Sequence, residues 1–307
     1  MHKMKIAVVG AGAMGSLFGA LLAEAGSEVW LLDVWAEHIK VINEKGLSIE
    51  REGKTRFVEV EATTDPQSIG LADLIIVFVK STQTAEAARV AKEMAGSGSL
   101  VLTLQNGMGN ADVISEVIDQ DQVVAGTTSH GATMIGPGII RHAGVGPTVI
   151  GMWNGKDLTK VRGIAQLFTH ACIDTKVVES VREVIWDKLL VNVGINAITA
   201  LTGIKNGQLL DLEVTKTLSR KAVEEALAVA RAQGIALRDN TVGHVLKVAE
   251  ATSPNRSSMG QDVDKKRQTE IETINGVIVS EGRKLGLETP VNETLTALIE
   301  TLQAHYK

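Results

Sequence analysis

The string Gly10-Ala-Gly-Ala-Met-Gly15 constrains this chain more than any other feature. It follows a short apolar run, Lys5 to Val9, and opens a helical pattern, Met14 to Ala25, that is closed by Gly26. A second run follows at Glu28 to Leu32. Strand, glycine turn, helix and strand in that order predict a parallel β-α-β unit, the context in which a G-x-G-x-x-G string carries weight. Gly10 permits a tight turn, Gly12 lets the backbone approach a pyrophosphate, and Gly15 lets the helix pack close to the strand. The helix N-terminus adds free N–H groups and a positive dipole end. Gly10, Ala11, Gly12, Ala13, Met14 and Gly15 are therefore expected to cradle a dinucleotide.

Asp33 stands at the end of the second strand. A carboxylate there accepts hydrogen bonds from the ribose hydroxyls of NAD and repels the 2′-phosphate of NADP. Neighbouring Trp35, Glu37, His38 and Lys40 include no arginine for such a phosphate. On the residues alone, NADH is favoured over NADPH.

Further apolar runs occur at Leu74 to Val79 and Leu100 to Leu104, and another begins at Gln122 to Ala125. Runs that are apolar throughout suit parallel strands covered on both faces. From Gly131 to Gly155 the composition shifts to Gly and Pro, and short strands there are expected to finish the first domain. Beyond Arg182 helical patterns take over, with long helices expected over Gln208 to Gln233 and Gln261 to Lys284. The fold class is thus α/β, an N-terminal Rossmann-type doubly wound sheet (residues 1–179) with a C-terminal all-helical domain (residues 180–307). Ligands of such sheets bind beyond the carboxyl ends of the strands. Lys80, Asn106 and the stretch Thr127 to Ala132 fall at such ends and are candidates for the nicotinamide half of the site. His130 reads more readily as a hydrogen-bonding histidine than as a general base.

Composition narrows the remaining classes. A chain of 307 residues with 44% hydrophobic and 22% charged residues can bury two cores. The net charge of −5 and the absence of a basic tract argue against nucleic acid as a partner. No uninterrupted apolar stretch approaches the roughly 20 residues that span a bilayer, so no membrane association is expected. The single cysteine, Cys172, fits a reducing cytoplasm and is expected to be a small buried residue. The seven histidines show no metal-ligand spacing, so no metal is expected. A monomer and a homodimer are equally compatible with the apolar helical faces.

The segment Trp186-Asp-Lys-Leu-Leu-Val-Asn-Val-Gly-Ile-Asn196 is apolar nearly all round, the mark of a buried helix. Lys188, Asn192 and Asn196 recur at i, i+4 and i+8 and stack along one face. Polar groups on a buried helix are costly unless they face partners or a cavity. Reduction of a 2-oxo acid needs a hydride at C2 and a proton for the developing alkoxide. A lysine ammonium can stabilise that oxygen and donate the proton, while asparagine amides donate and accept in fixed geometry.

Taken together, these residues resemble the ketopantoate reductase family (2-dehydropantoate 2-reductases) over nearly the whole chain. The resemblance rests on Gly10 to Gly15, Val79-Lys-Ser-Thr-Gln83, Leu104-Gln-Asn-Gly-Met-Gly109 and Trp186 to Asn196. It continues through Asn206-Gly-Gln-Leu, Ser257-Ser-Met-Gly-Gln-Asp262 and Thr269-Glu-Ile…Ile-Asn-Gly276. It implies that Lys188 donates the proton and that Asn192, Asn196, Asn206 and Ser258 contact the substrate. It also implies that Gly10 to Gly15, Lys80, Asn106, Ala132 and Glu270 line the cofactor site. The family reaction is NADPH-dependent reduction of 2-dehydropantoate to D-pantoate, towards pantothenate and coenzyme A. Family members that use NADPH usually carry an arginine just after the second strand, where this chain reads Leu-Leu-Asp33-Val-Trp. Family usage therefore favours NADPH and Asp33 favours NADH. Related NAD-dependent D-2-hydroxy acid dehydrogenases for branched or aromatic substrates share the lysine and asparagines. A 3-hydroxy acid dehydrogenase and a non-catalytic nucleotide sensor are the other readings; Asn196 speaks against the first and the intact lysine row against the second.

Overall fold

The computed structural model describes residues 3–155, 157–238 and 240–306. The chain divides into two compact units, Met1–Gln105 with Asn110–Val181, and Asn106–Gly109 with Arg182–Lys307. The first unit opens with β1 (Lys5–Val9), α1 (Ala13–Glu24), β2 (Glu28–Leu32), α2 (Ala36–Lys45), β3 (Leu47–Arg51), β4 (Lys54–Val58) and β5 (Glu61–Thr63). It continues through β6 (Ala72–Val77), α3 (Thr84–Met94), β7 (Ala95–Thr103), α4 (Asn110–Ser115) and β8 (Val123–Thr128). Strands β9 (Gly131–Gly136), β10 (Ile139–Gly144) and β11 (Thr148–Met152), helix α5 (Thr159–His170) and β12 (Thr175–Val177) complete it.

Eight strands form one sheet in the order β12-β11-β8-β7-β6-β1-β2-β5. It is parallel from β5 through β8, and β11 joins β8 antiparallel. Taking the six parallel strands in chain order gives the doubly wound sequence 3-2-1-4-5-6, whose direction reverses between β1 and β6. Gly10 and Lys80 follow the carboxyl ends of those two strands. Ile6, Val8, Leu74 and Ile76 are buried in the core that also takes Leu17, Phe18 and Leu22 of α1. Burial on both faces explains why these strands read as continuous apolar runs.

The short strands expected between Gly131 and Gly155 do not all extend this sheet. Only β11 does so; β9 and β10 pair with the β3–β4 hairpin in a second sheet, ordered β4-β3-β10-β9. The fully buried Leu47, Ile49 and Ile140 belong to the same core as α1. The hairpin turns on Glu52 and Gly53, both at positive φ (51° and 75°), the backbone twist that a two-residue hairpin favours.

The second unit contains α6 (Val181–Thr202) from Arg182 onward, α7 (Glu213–Ala232), α8 (Thr241–Ala251), α9 (Ser258–Asp264), α10 (Val277–Leu285) and α11 (Pro290–Ala304). Helix α6 has the length and hydropathy to cross a membrane, yet most of it is buried inside the protein. Its Trp186, Leu189, Leu190, Val193, Ile195 and Ile198 sit in the core of the unit. A Cβ on Gly194 would come within 2.7 Å of Val223 and Val245, so a glycine is what lets α7 and α8 approach this helix.

Three expectations are corrected. The helix expected over Gln208–Gln233 is divided: Gly207–Leu210 forms a tight 3-10 turn, and α7 starts only at Glu213. Gly207 lies directly against Ser253, and Asn206 N–H donates to the Asn255 carbonyl at 3.0 Å, which turns the chain before α7 can begin. The helix expected over Gln261–Lys284 is also broken. Helix α9 closes at Asp264, where Lys266 turns left-handed (φ 51°). Its N–H donates to Val263 (3.0 Å) and that of Arg267 to Asp262 (2.8 Å), the paired bonds of a Schellman cap. The chain then resumes through a π-helical turn, Glu272–Gly276. Cys172, finally, is exposed rather than buried. It takes the left-handed position (φ 60°) that ends α5, with its N–H on Thr169 and that of Ile173 on Phe168, so the flanking Ala171 and Ile173 enter the core and the thiol does not.

Candidate active site

The first unit builds its half around the glycine turn. Gly10 is at φ +96°, and a Cβ there would lie 2.8 Å from the Val79 nitrogen. A Cβ on Gly15 would sit 1.9 Å from the Gly10 carbonyl oxygen. Both glycines are thus demanded by the protein's own packing. Gly12 is different: its φ of −60° suits any residue, and a Cβ there would meet nothing within 4 Å. The protein gives Gly12 no steric reason, so the space beside it is what the glycine keeps open. Gly12 is also the N-cap of α1 and supplies no side-chain cap, leaving first-turn N–H groups available. An open cradle at a helix N-terminus fits a dinucleotide pyrophosphate.

Asp33 lies just past β2, half-buried, and its Oδ1 accepts the Trp35 N–H at 3.0 Å. That bond holds the carboxylate at the strand end. Lys80 is exposed at the carboxyl end of β6, as the N-cap of a short 3-10 turn. Ala132 lies on β9 opposite His142. His130 is buried, its Nδ1 3.3 Å from His142 Nε2, with its ring edge-on to Phe18. Burial, and the neighbouring imidazole and Arg51, hold His130 below the ordinary histidine range. A hydrogen-bonding role is what its surroundings display.

The second unit gathers a different set. On α6, Lys188 Nζ donates to Asn106 Oδ1 at 2.9 Å, and Asn106 Nδ2 donates to Glu270 Oε2 at 3.3 Å. Burial brings the lysine down from 10.5 to about 8, opposed by the Glu270 carboxylate. Such a displacement is worth on the order of 3 kcal/mol between the charged and neutral forms. Asn106 belongs to this unit through the short segment Asn106–Gly109, which docks on the π-helical turn. Met108 N–H donates to the Thr273 carbonyl at 2.9 Å. A Cβ on Gly107 would lie 2.5 Å from that same oxygen, and Gly107 sits at φ +83°.

Along α6, Asn192 is half-buried and Asn196 buried, with Asn196 Nδ2 at 3.5 Å from Ser258 Oγ. Asn206 donates through Nδ2 to Thr252 Oγ1 at 3.0 Å, while its Oδ1 is buried without a hydrogen-bond partner. The structure therefore brings Lys188, Asn106 and Glu270 together, and sets Asn196 beside Ser258.

Sequence reasoning missed the support behind them. Asn275, fully buried in the π-helical turn, donates to Asn292 Oδ1 at 2.9 Å and reaches the Val193 carbonyl on α6 at 3.4 Å. Asn292 in turn donates to Glu225 Oε2 at 2.7 Å, and Glu225 also accepts the N–H groups of Val291 and Asn292 at the start of α11. The string Ile-Asn-Gly276 was visible, but its partners lie far along the chain and no spacing rule connects them.

A doubly wound sheet with an open glycine cradle, in one chain with a helical unit that holds a half-buried lysine of lowered pKa, defines a nicotinamide-nucleotide oxidoreductase. Comparison with known proteins makes this particular. The family described as Ketopantoate reductase PanE/ApbA matches residues 6–155, and its C-terminal counterpart matches residues 180–303. A 2-dehydropantoate 2-reductase of Halobacterium salinarum is 40% identical, across 98% of this chain and 99% of its own. One from Pyrococcus abyssi is 38% identical, across 98% of each chain. Among solved structures, a PanE/ApbA family ketopantoate reductase of Ralstonia eutropha is 35% identical with a TM-score of 0.90, covering 98% of this chain and 99% of its own. A D-mandelate dehydrogenase in complex with NADH and anilino(oxo)acetate is 29% identical with a TM-score of 0.93 over the same shares. The chain belongs to the ketopantoate reductase family and is an NAD(P)H-dependent oxidoreductase.

Proposed function

We propose that the protein reduces 2-dehydropantoate to D-pantoate, with Lys188 delivering the proton. One observation carries the reading: the Lys188 ammonium is held by Asn106, itself held by Glu270, on a helix whose apolar side chains are mostly core. Glu270 and Asn106 aim the ammonium and keep its charge, so that it can stabilise the oxygen developing on C2 and pass it a proton. Lys188 then recovers a proton from solvent. Asn192, Asn196, Asn206 and Ser258 are assigned to the substrate's hydroxyl and carboxylate groups; the buried, unpaired Oδ1 of Asn206 supports an acceptor role.

Gly10 to Gly15, Asp33, Lys80 and Ala132 would hold the coenzyme, which when bound supplies the hydride for C2. The carboxylate of Asp33, with no arginine beside it in the sequence, supports NADH as the preferred form.

The test is a matrix of 2-dehydropantoate, 2-oxoisovalerate and phenylglyoxylate against NADH and NADPH, followed at 340 nm. The expected result is the highest kcat/KM with 2-dehydropantoate. A clear preference for phenylglyoxylate would move the chain to the D-2-hydroxy acid dehydrogenases, and no turnover with any 2-oxo acid would sink the reading.

A further inference from the structure

Among the described residues of the first unit, the most enclosed imidazole plays no part in the proposed reduction. His38 on α2 is completely buried, although α2 is otherwise a half-exposed surface helix. Its Nδ1 accepts the Gly138 N–H at 2.9 Å. A ring nitrogen that accepts an N–H carries a lone pair, so the proton of the neutral ring is on Nε2. Nε2 lies 3.3 Å from Ser16 Oγ, and the Ser16 hydroxyl donates to the Ala11 carbonyl at 2.7 Å. The direction of the relay is therefore set: His38 donates to Ser16, and Ser16 donates to Ala11. Ser16 and Ala11 are both fully buried. Burial also holds His38 below the ordinary histidine range, opposed by Asp33 and by the nearby Ala11 carbonyl, and a net lowering agrees with a neutral ring.

The consequence follows from peptide geometry. In a trans peptide the C=O and N–H point in opposite directions. A bond that pulls the Ala11 carbonyl inward therefore turns the Gly12 N–H outward, to the side where Gly12 keeps space open. The same imidazole also supports the neighbouring turn. Trp35 stacks on it with centroids 5.2 Å apart and planes 13° from parallel, and the Trp35 N–H holds the Asp33 carboxylate. Gly138, at φ +70° and packed against Val41, also accepts the Ser48 N–H at 2.8 Å, so the ring is braced by the second sheet.

We propose that His38, acting through Ser16, is a positioning residue for the dinucleotide: it orients the Ala11–Gly12 peptide towards the pyrophosphate and supports the Asp33–Trp35 turn that meets the adenosine ribose. It touches no ligand itself. The proposal rests on the glycine turn holding the coenzyme, and its test separates the two ideas.

The measurement is the dissociation constant of ADP-ribose, the coenzyme without its nicotinamide, for the full-length protein by calorimetry, with melting temperatures recorded alongside. Ser16→Ala removes only the relay hydroxyl and is expected to weaken ADP-ribose at least tenfold. His38→Gln places an amide donor near the position of Nε2 and is expected to stay within about threefold of wild type. His38→Asn can satisfy Gly138 but not reach Ser16, and is expected to match Ser16→Ala. With NADH as coenzyme its KM should rise in the weakened variants, while kcat at saturation stays close to wild type. Wild-type protein that fails to bind ADP-ribose would overturn the cofactor reading and the relay together. Wild-type binding with unimpaired affinity in Ser16→Ala would overturn the relay alone, as would equal losses in His38→Gln and His38→Asn. Should the histidine variants not fold, Ser16→Ala decides the matter.

Discussion

Lys188 concentrates the chemistry at the scale of single residues. With its folded value near 8, it is an ammonium below that pH and an amine above it. As the acid of a reduction it must be charged, so kcat/KM for reduction is expected to be level below pH 8 and to fall as pH rises through it. Because Glu270 raises the lysine's value, Glu270→Gln should move that midpoint downward; a profile that does not move would separate the carboxylate from the lysine. Lys188→Ala should cost about 10² to 10⁴ in kcat while ADP-ribose binds as before, and near-normal turnover would remove Lys188 from its role. Linkage gives a further sign. The lysine's folded value lies below its unfolded 10.5, so its charge opposes folding at neutral pH, and this cost is relieved as pH climbs from about 8 to 10.5. In the first unit, Asp33→Arg is expected to shift coenzyme preference towards NADPH, read as the ratio of kcat/KM for the two coenzymes. The lysine row was legible because i, i+4, i+8 spacing on an apolar helix is a local signal. Glu270 was reachable only through family resemblance, since it stands in a turn between two helices and acts on Lys188 through Asn106.

Elements carry the second layer. Helix α6 is held close to α7 and α8 at Gly194, where a Cβ would press on Val223 and Val245. Gly194→Ala should therefore destabilise the protein by about 1–3 kcal/mol, the usual cost of overpacking, measured by urea unfolding; an unchanged midpoint would show that the helices can shift apart freely. The π-helical turn offers a second test, because Asn275 ties it to α6 and α11. Asn275→Ala should lower the melting temperature and also displace the pH midpoint of reduction, since that turn carries the docking surface for the Asn106 loop. Loss of stability with an unmoved midpoint would confine Asn275 to a structural role. Neither helix break was readable from periodicity. The apolar pattern continues across Asp211–Leu212, the stretch from Asp264 to Glu270 is polar throughout and offers no periodicity to break, and a lysine at a left-handed cap lacks the glycine that would mark it. The cap at Lys266 is closed locally, by Arg267 on Asp262, whereas the turn before α7 is held by Asn255, a partner distant in the sequence.

For the whole molecule, the coenzyme should act as a stabiliser, because a ligand that binds only the folded form adds about 2.7 kcal/mol at one hundred times its dissociation constant. A rise in melting temperature with NADH, larger than that with NADPH, is expected; no rise with either would contradict the cradle. The class of fold, the glycine turn and the lysine row were all determined by sequence, because each rests on periodicity or on the special conformations of glycine within a few turns of chain. What only the tertiary structure decided are the pairings across long separations. The second sheet joins β3 to β10, Asn106 leaves the strand-rich unit for Lys188 and Glu270, and His38 reaches Gly138 and Ser16. Those pairings depend on which surfaces meet once the core has closed, and burial and hydrogen-bond satisfaction between distant residues leave no repeat in the sequence to read.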